Sequence, residues 1–187
     1  MSKVVMFNLI SLDWYFEGPA KWDIGWHQVD KEFNDFALQQ LEQSSGLLFG
    51  RVTYQGMASY WPTTAAKEDD PRIAERMNSA PKYVFTHTLD HAEWNNTHII
   101  KGDAASELDK IKQQPGDDLL LMGSANLAET FINNNLIDEY RLMVIPVVLG
   151  QGNAVFKVVE GMFKLKLLDT RSFANGNLLL YYSPDGG

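Results

Sequence analysis

Two strand-to-helix junctions carry the residue types that hold anions. In "LLFGRVTYQGM", residues 47–57, an apolar run stops at Gly50, and a cation (Arg51) and a hydroxyl (Thr53) follow in what reads as the first turn of a helix. In "LLLMGSANLAETF", residues 119–131, a second apolar run stops at Gly123, and Ser124, Ala125, Asn126 and Leu127 open another helix. The first N–H groups of a helix have no partner inside it, and the helix dipole adds partial positive charge there, so each junction favours a phosphate. Glycine lets the backbone itself come close to a ligand. Taken singly, either glycine does no more than end a strand. Flanking one bound diphosphate, the two would make a dinucleotide site.

Candidates for proton chemistry are more scattered. Asp13 closes the first strand, and Asp30, Glu32 and Asp35 lie near the start of the first helix. A carboxyl group buried beside a ligand has a raised pKa and can donate a proton; the alternative is that each caps a helix or faces water. Trp14, Trp22 and Trp26 crowd the segment 11–27, where they either seal one end of the core or line a cleft, with Trp14 and Trp26 taken as substrate-side candidates. The four histidines (27, 87, 91 and 98) form no pair at metal-ligand spacing on a helix, so no metal site is expected. There are no cysteines, which removes thiolate ligands and thiol nucleophiles. Gly-x-Ser-x-Gly and Walker-type phosphate loops are absent.

The elements that must position these groups follow from hydrophobic periodicity. Val4–Ile10 reads as a strand buried on both faces, and residues 11–27 as a long loop with Gly18-Pro19 as a breaker. Val29, Phe33, Phe36, Ala37 and Leu41 recur at helical spacing over 29–43. Then come a strand at 46–50, a short helix after Arg51, a polar surface loop at 62–70, a helix over 71–78, and strands at 82–86 and 97–100. Asp103 is placed to cap a helix, "DLLLM" is a strand, and 124–134 a helix. From Asp138 onward long strands take over, the first interrupted by Pro146 and the last two joined at Asn175-Gly176, a strong hairpin signal. The sum is an α/β fold, with a mostly parallel central sheet, antiparallel C-terminal strands and helices on both faces.

A chain of 187 residues suits one domain, taken as 1–187, with a substantial core. Its net charge of −8 argues against a sequence-independent nucleic-acid binder, which needs clustered cations. No stretch approaches the roughly 20 apolar residues of a membrane span, and "MSKVVMFNLISLDW" lacks the features of a signal peptide. A cytoplasmic protein with no membrane partner is the expectation.

"SLD", "GRVTY", "KYVFTHTL", "GSANLAETFI" and "IPVVLGQGNAVF" occur here in one order, spread over Val4 to Tyr182. Together they resemble the dihydrofolate reductase-like superfamily, and within it the stand-alone relatives of the C-terminal reductase domain of the bacterial riboflavin biosynthesis deaminase-reductase. The resemblance implies a three-layer reductase fold that binds NADPH, with NADH as the alternative. It implies that Gly50, Arg51 and Thr53 hold adenosine-side phosphates, that Thr86 and His87 flank the adenine ribose, and that Gly123, Ser124, Ala125, Asn126 and Leu127 cradle the pyrophosphate. Leu149 to Gly152 and Phe156 would serve the substrate side or the fold. Departures fall at the other end: Phe7 stands where the relatives carry a lysine, Trp14 where they carry a glycine, Met122 where they carry a glutamate, and Ser124 replaces a second glycine. These changes weaken a 5-amino-6-(5-phosphoribosylamino)uracil substrate.

The expected function is therefore an NADPH-dependent reductase of a small heterocyclic or carbonyl/imine substrate, with Asp13 as one candidate acid. A non-catalytic nucleotide-binding protein on the same fold is the alternative, and a true dihydrofolate reductase a further one. The C-terminal hairpin leaves a sheet edge that a second copy could cover, so a homodimer is expected.

Overall fold

The computed structural model describes residues 1–186. At its centre is β1 (Val4–Ser11), whose near-continuous apolar sequence is buried on both faces. It is hydrogen-bonded in parallel to β6 (Asp118–Met122) on one side and β7 (Glu139–Ile145) on the other. Outward from β6 lie β3 (Ser44–Gly50), β4 (Lys82–Phe85) and β5 (Thr97–Ile100), all parallel. Outward from β7 lie β10 (Leu178–Pro184), antiparallel to it, and then β9 (Leu165–Ser172) at the edge, antiparallel to β10. The eight strands run in the order β5-β4-β3-β6-β1-β7-β10-β9.

Alternation along β1 divides the core into two layers. Val5 and Phe7 join Phe33, Phe36 and Leu41 of α1 (Lys31–Glu42), Tyr54 of α2 (Arg51–Tyr60), and Ile73 and Met77 of α4 (Pro71–Ser79). Val4, Met6 and Ile10 join Leu108 of α5 (Ala104–Lys112) and Leu127 and Phe131 of α6 (Ala125–Asn133) on the opposite face. The two layers make the three-layer α/β arrangement that the sequence pattern calls for.

Two segments differ from expectation. Residues 62–70 are not a loop: α3 (Thr64–Asp69) forms there, because the Thr63 hydroxyl accepts from Ala66 N and starts a turn that Ala65 and Ala66 favour. Asp70 then closes α3 and caps α4, accepting from Ile73 N with Pro71 in the first turn. The Trp-rich segment also contains a short strand, β2 (Tyr15–Glu17), paired with β8 (Asn153–Ala154). Pairing this early segment with one near the C-terminus could not be read from local pattern. Pro146 ends β7, and Asn175-Gly176 makes the hairpin turn between β9 and β10, with Gly176 at φ 92°.

Lys82, at the start of β4, is fully buried. Its ammonium donates to the carbonyls of Asn78, Ala80 and Asn95 at 2.8–3.0 Å and lies 4.4 Å from the centre of the Trp94 ring. Burial pushes its pKa down to about 8, while these contacts stabilise the charged form and fix the strand that delivers Thr86 and His87.

Candidate functional site

Parallel pairing of β3 with β6 brings the two glycine junctions together: Leu48 lies opposite Leu121, so Gly50 and Gly123 leave the sheet side by side. The backbone N–H of Gly50 donates to Ser124 Oγ at 2.9 Å in a buried bond. A Cβ on Gly50 would run into that oxygen, so glycine is needed for the contact. Gly123 and Ser124 both adopt left-handed backbone, with φ 60° and 66°, which turns the chain sharply from β6 into α6. The described peptide bonds are all trans.

This contact has a consequence for the helix ends. Ser124 spends its hydroxyl on Gly50 and makes no side-chain cap for α6, and Gly50, the cap residue of α2, has none to offer. The other four helices are capped by side chains, Asp30 on α1, Thr63 on α3, Asp70 on α4 and Asp103 on α5. The two N-termini left open are the two that meet at one place.

They open onto a cleft of about 1480 Å³ along the C-terminal edge of the sheet. Every nucleotide-side candidate lines it: Gly50, Arg51 and Thr53 from the first junction, Thr86 and His87 after β4, and Gly123, Ser124, Ala125, Asn126 and Leu127 from the second. Arg51 is exposed and, among the described residues, its side chain bonds only to Gln55 Oε1, at 3.2 Å, so no described carboxylate neutralises its charge. The Thr86 hydroxyl accepts from Thr88 N and Leu89 N, which shapes the turn that presents the exposed His87. Lys101 also lines the cleft, paired with Asp90 at 2.5 Å.

Asp13 lies elsewhere, outside the cleft lining. Its carboxylate accepts from Ser11 Oγ (2.6 Å), Leu149 N (3.1 Å) and Gly150 N (2.7 Å), tying the end of β1 to the loop after β7. These bonds, led by Ser11, hold its pKa down to about 2, the opposite of what a proton donor needs. The "SLD" and "VVLGQG" motifs are thus two halves of one clasp. The helix-one acids are also structural. Asp30 caps α1; Glu32 accepts from Ala174 N and Arg171, which lowers its pKa; Asp35 pairs with Lys31 at the surface.

Of the three tryptophans, the structure brings Trp22 to the cleft and leaves Trp14 and Trp26 outside the lining. Trp14 packs on Phe156 (ring centroids 6.3 Å apart), and Trp26 packs edge-on to His27 while its indole N–H donates to Asp23 O. Trp22 reaches over α2 so closely that a Cβ on Gly56 would collide with its indole. Glu17 holds this loop by accepting from Trp22 N and, at 2.6 Å, from Asn153 Nδ2.

Sequence reasoning missed three polar groups in the cleft wall. Asn8 is 5% exposed and its Oδ1 has no hydrogen-bond partner. His27 has a buried Nε2 without a partner, and burial pushes its pKa down to about 4, against a hydrogen bond to the Phe16 backbone. Gln40 is 4% exposed. The available signal was a polar residue inside an apolar pattern, Asn8 within "VVMFNLI" and Gln40 beside Leu41. No cluster of metal-ligating side chains occurs among the described residues, and no described helix is long and apolar enough to cross a membrane.

The RibD C-terminal domain family matches residues 2–179. The uncharacterised protein YyaP of Bacillus subtilis (strain 168) is 32% identical over 186 residues, covering 98% of this chain and 96% of that one. Among solved structures, the diaminohydroxyphosphoribosylaminopyrimidine deaminase/5-amino-6-(5-phosphoribosylamino)uracil reductase of Thermotoga maritima superposes with a TM-score of 0.72 at 17% identity, over 98% of this chain and 56% of that one. Dihydrofolate reductase from Enterococcus faecalis, complexed with NADP(H), superposes with a TM-score of 0.66 at 14% identity, covering 98% and 97%. The fold is that of the dihydrofolate reductases, and the chain belongs to the RibD C-terminal domain family.

Proposed function

We propose that the protein is an oxidoreductase that binds NADPH, in preference to NADH, across the C-terminal edge of the sheet and reduces a C=N or C=O bond of a small ring substrate. The observation that carries this reading is the side-by-side pair of uncapped helix N-termini at Gly50 and Gly123, in a chain whose other helices are capped. The residues fit such a cofactor. The cleft exceeds the roughly 300–1,000 Å³ of an ordinary small-ligand pocket, leaving room for a dinucleotide and a substrate. Strand order supports one polarity: Thr86 and His87 at one end for the adenosine, Arg51 beside them for a 2′-phosphate, the two junctions for the diphosphate, and Asn8 of β1 at the far end with a buried amide oxygen to accept a hydrogen bond. The E. faecalis relative, complexed with NADP(H), supports the assignment.

A bound nicotinamide would supply the hydride; the chain's part is to orient, shield and let a proton in. Trp22 over α2 excludes water from above. The acids lining the cleft are each engaged: Glu17 by the Trp22 loop, Asp69 by the Tyr60 hydroxyl at 2.9 Å, Asp70 and Asp103 as caps. The proton is accordingly assigned to solvent at the cleft mouth. The same observation favours a second reading, a nucleotide-binding protein without turnover.

Titration with NADPH, read by quenching of the five tryptophans, followed by loss of cofactor absorbance with pteridines, aminouracils and quinones, tests both. Saturable quenching with turnover supports the reductase; quenching without turnover on any of them supports the binding protein. No quenching sinks both. We further propose a homodimer built on edge strand β9, which exposes Leu167 and Leu168 along a strand edge with no neighbour in the sheet. A monomeric mass in solution would overturn it.

A further inference from the structure

On the α1 side of the sheet the cleft deepens into a chamber walled by Phe7, Phe33, Leu41, Met57, Ile73 and Met77. The basic side chains lining the cleft, Arg51, Lys101 and Lys157, come from the start of α2, the end of β5 and the segment after β8; α1, α4 and β1 contribute none. An anionic group placed there would lose its hydration without a cation to replace it, a cost of several kcal/mol.

The polar groups of this chamber are neutral and oriented. Arg141 donates to Gln40 Oε1 at 3.1 Å and is itself held by Glu139 at 2.7 Å. A guanidinium only donates, so the oxygen end of the Gln40 amide is committed to it and the NH2 end is left for the cleft. The Nε2 of His27 is buried with no partner, and burial keeps the ring neutral, so with its proton on Nδ1 the ring offers Nε2 as a lone pair. One donor and one acceptor are thus set in a hydrocarbon wall.

We propose that this chamber binds an uncharged, unphosphorylated ring that presents a carbonyl oxygen to Gln40 and an N–H or O–H to His27. The proposal rests on the reductase reading for its second ligand, and it names the substrate class of that site. The phosphate of a phosphoribosyl substrate would have to lie outside the chamber, because no basic side chain lines it.

The test uses the full chain and two fluorescent probes of nearly equal size, lumazine and lumazine-6-carboxylate, each titrated with and without saturating NADPH at a pH where lumazine is neutral. Lumazine is expected to bind at least tenfold more tightly than the carboxylate. Gln40→Glu keeps a partner for Arg141 but removes the amide donor. It should weaken lumazine at least tenfold with the melting temperature and NADPH affinity unchanged. His27→Phe, which keeps the ring and removes the acceptor, should do the same and serves if Gln40→Glu lowers the melting temperature. Equal or tighter binding of the carboxylate, no binding of lumazine, or indifference of lumazine to both substitutions would overturn the proposal. Failure of NADPH to bind would remove the dinucleotide reading alone, because the probe pair still decides the chamber's chemistry without it.

Discussion

The two ends of the cleft are built on different principles. At the diphosphate end the groups that matter belong to the backbone: Gly50 and Gly123, consecutive N–H groups of α2 and α6, and one serine hydroxyl joining the two turns. At the ring end they are side chains from β1, the Trp22 loop, α1, α2 and α4 that meet only in the folded chain. Backbone chemistry leaves a local mark in sequence, since a glycine after an apolar run and before a helical pattern is one continuous stretch. A side-chain constellation drawn from five elements leaves none. Binding at the first end should therefore depend on helix electrostatics and tolerate changes at the second, and the reverse should hold for ring selectivity.

The largest effect is expected where the helix and the ligand want opposite things. Asn126 lies in the first turn of α6 and lines the cleft. Asn126→Asp places a negative charge at the positive end of the dipole, which should stabilise the helix by about 0.3–1 kcal/mol. The same charge beside a bound diphosphate costs on the order of 2 kcal/mol in a partly solvated site, about a thirtyfold loss of NADPH affinity. A melting temperature that rises while affinity falls would mark α6 as the phosphate-binding terminus. Affinity that holds would move the phosphates elsewhere. Smaller, by this reasoning, is Arg51→Ala, which should weaken NADPH about fivefold and NADH much less, since one exposed cation facing one phosphate is worth roughly 1 kcal/mol. Equal losses for both cofactors, measured by tryptophan quenching, would place Arg51 on the shared diphosphate.

The α/β order of elements and the two glycine junctions were legible because each depends on periodicity or on glycine at a strand end, whereas Thr86 and His87 were reached only through the family resemblance. Asp13, Trp14 and Trp26 were legible as unusual residues but not as what they do. Asp13 is engaged by Leu149 and Gly150, more than 130 residues away in sequence, and no local pattern distinguishes a clasp from a catalytic acid. Trp22, Asn8, His27 and Gln40 acquire their meaning from burial, which depends on what packs against them. The missed helix at 64–69 is a milder case, six residues whose polar composition hid a threonine cap.

Asp13 supplies a pH signature that separates fold from site. Its pKa is depressed from 3.8 to about 2 in the folded chain, so the folded state binds fewer protons than the unfolded one between those values. The stability this contributes is fully present above pH 3.8 and is lost as pH falls toward 2. Asp13→Asn should flatten the fall in melting temperature across that window and lower the melting temperature by a few degrees at neutral pH, with NADPH affinity unchanged. A selective loss of turnover at unchanged stability would return Asp13 to the chemistry.

The smallest effect is expected at Trp14. Its backbone sits at φ 68°, a left-handed conformation that costs a bulky residue roughly 1–2 kcal/mol, and the residue is 43% exposed, with its ring against Phe156. Trp14→Gly relieves about 1–2 kcal/mol of strain, which the lost aromatic contact and the added freedom of the unfolded chain, about 1 kcal/mol each, nearly offset. Melting temperature should stay within about 3 degrees of the parent, NADPH quenching should be as deep, and lumazine affinity should not move. A tenfold change in lumazine affinity alone would mean that Trp14 swings to the ring end when both ligands are bound. The boundary between clasp and chamber would then lie one residue past Asp13 instead of at Trp22.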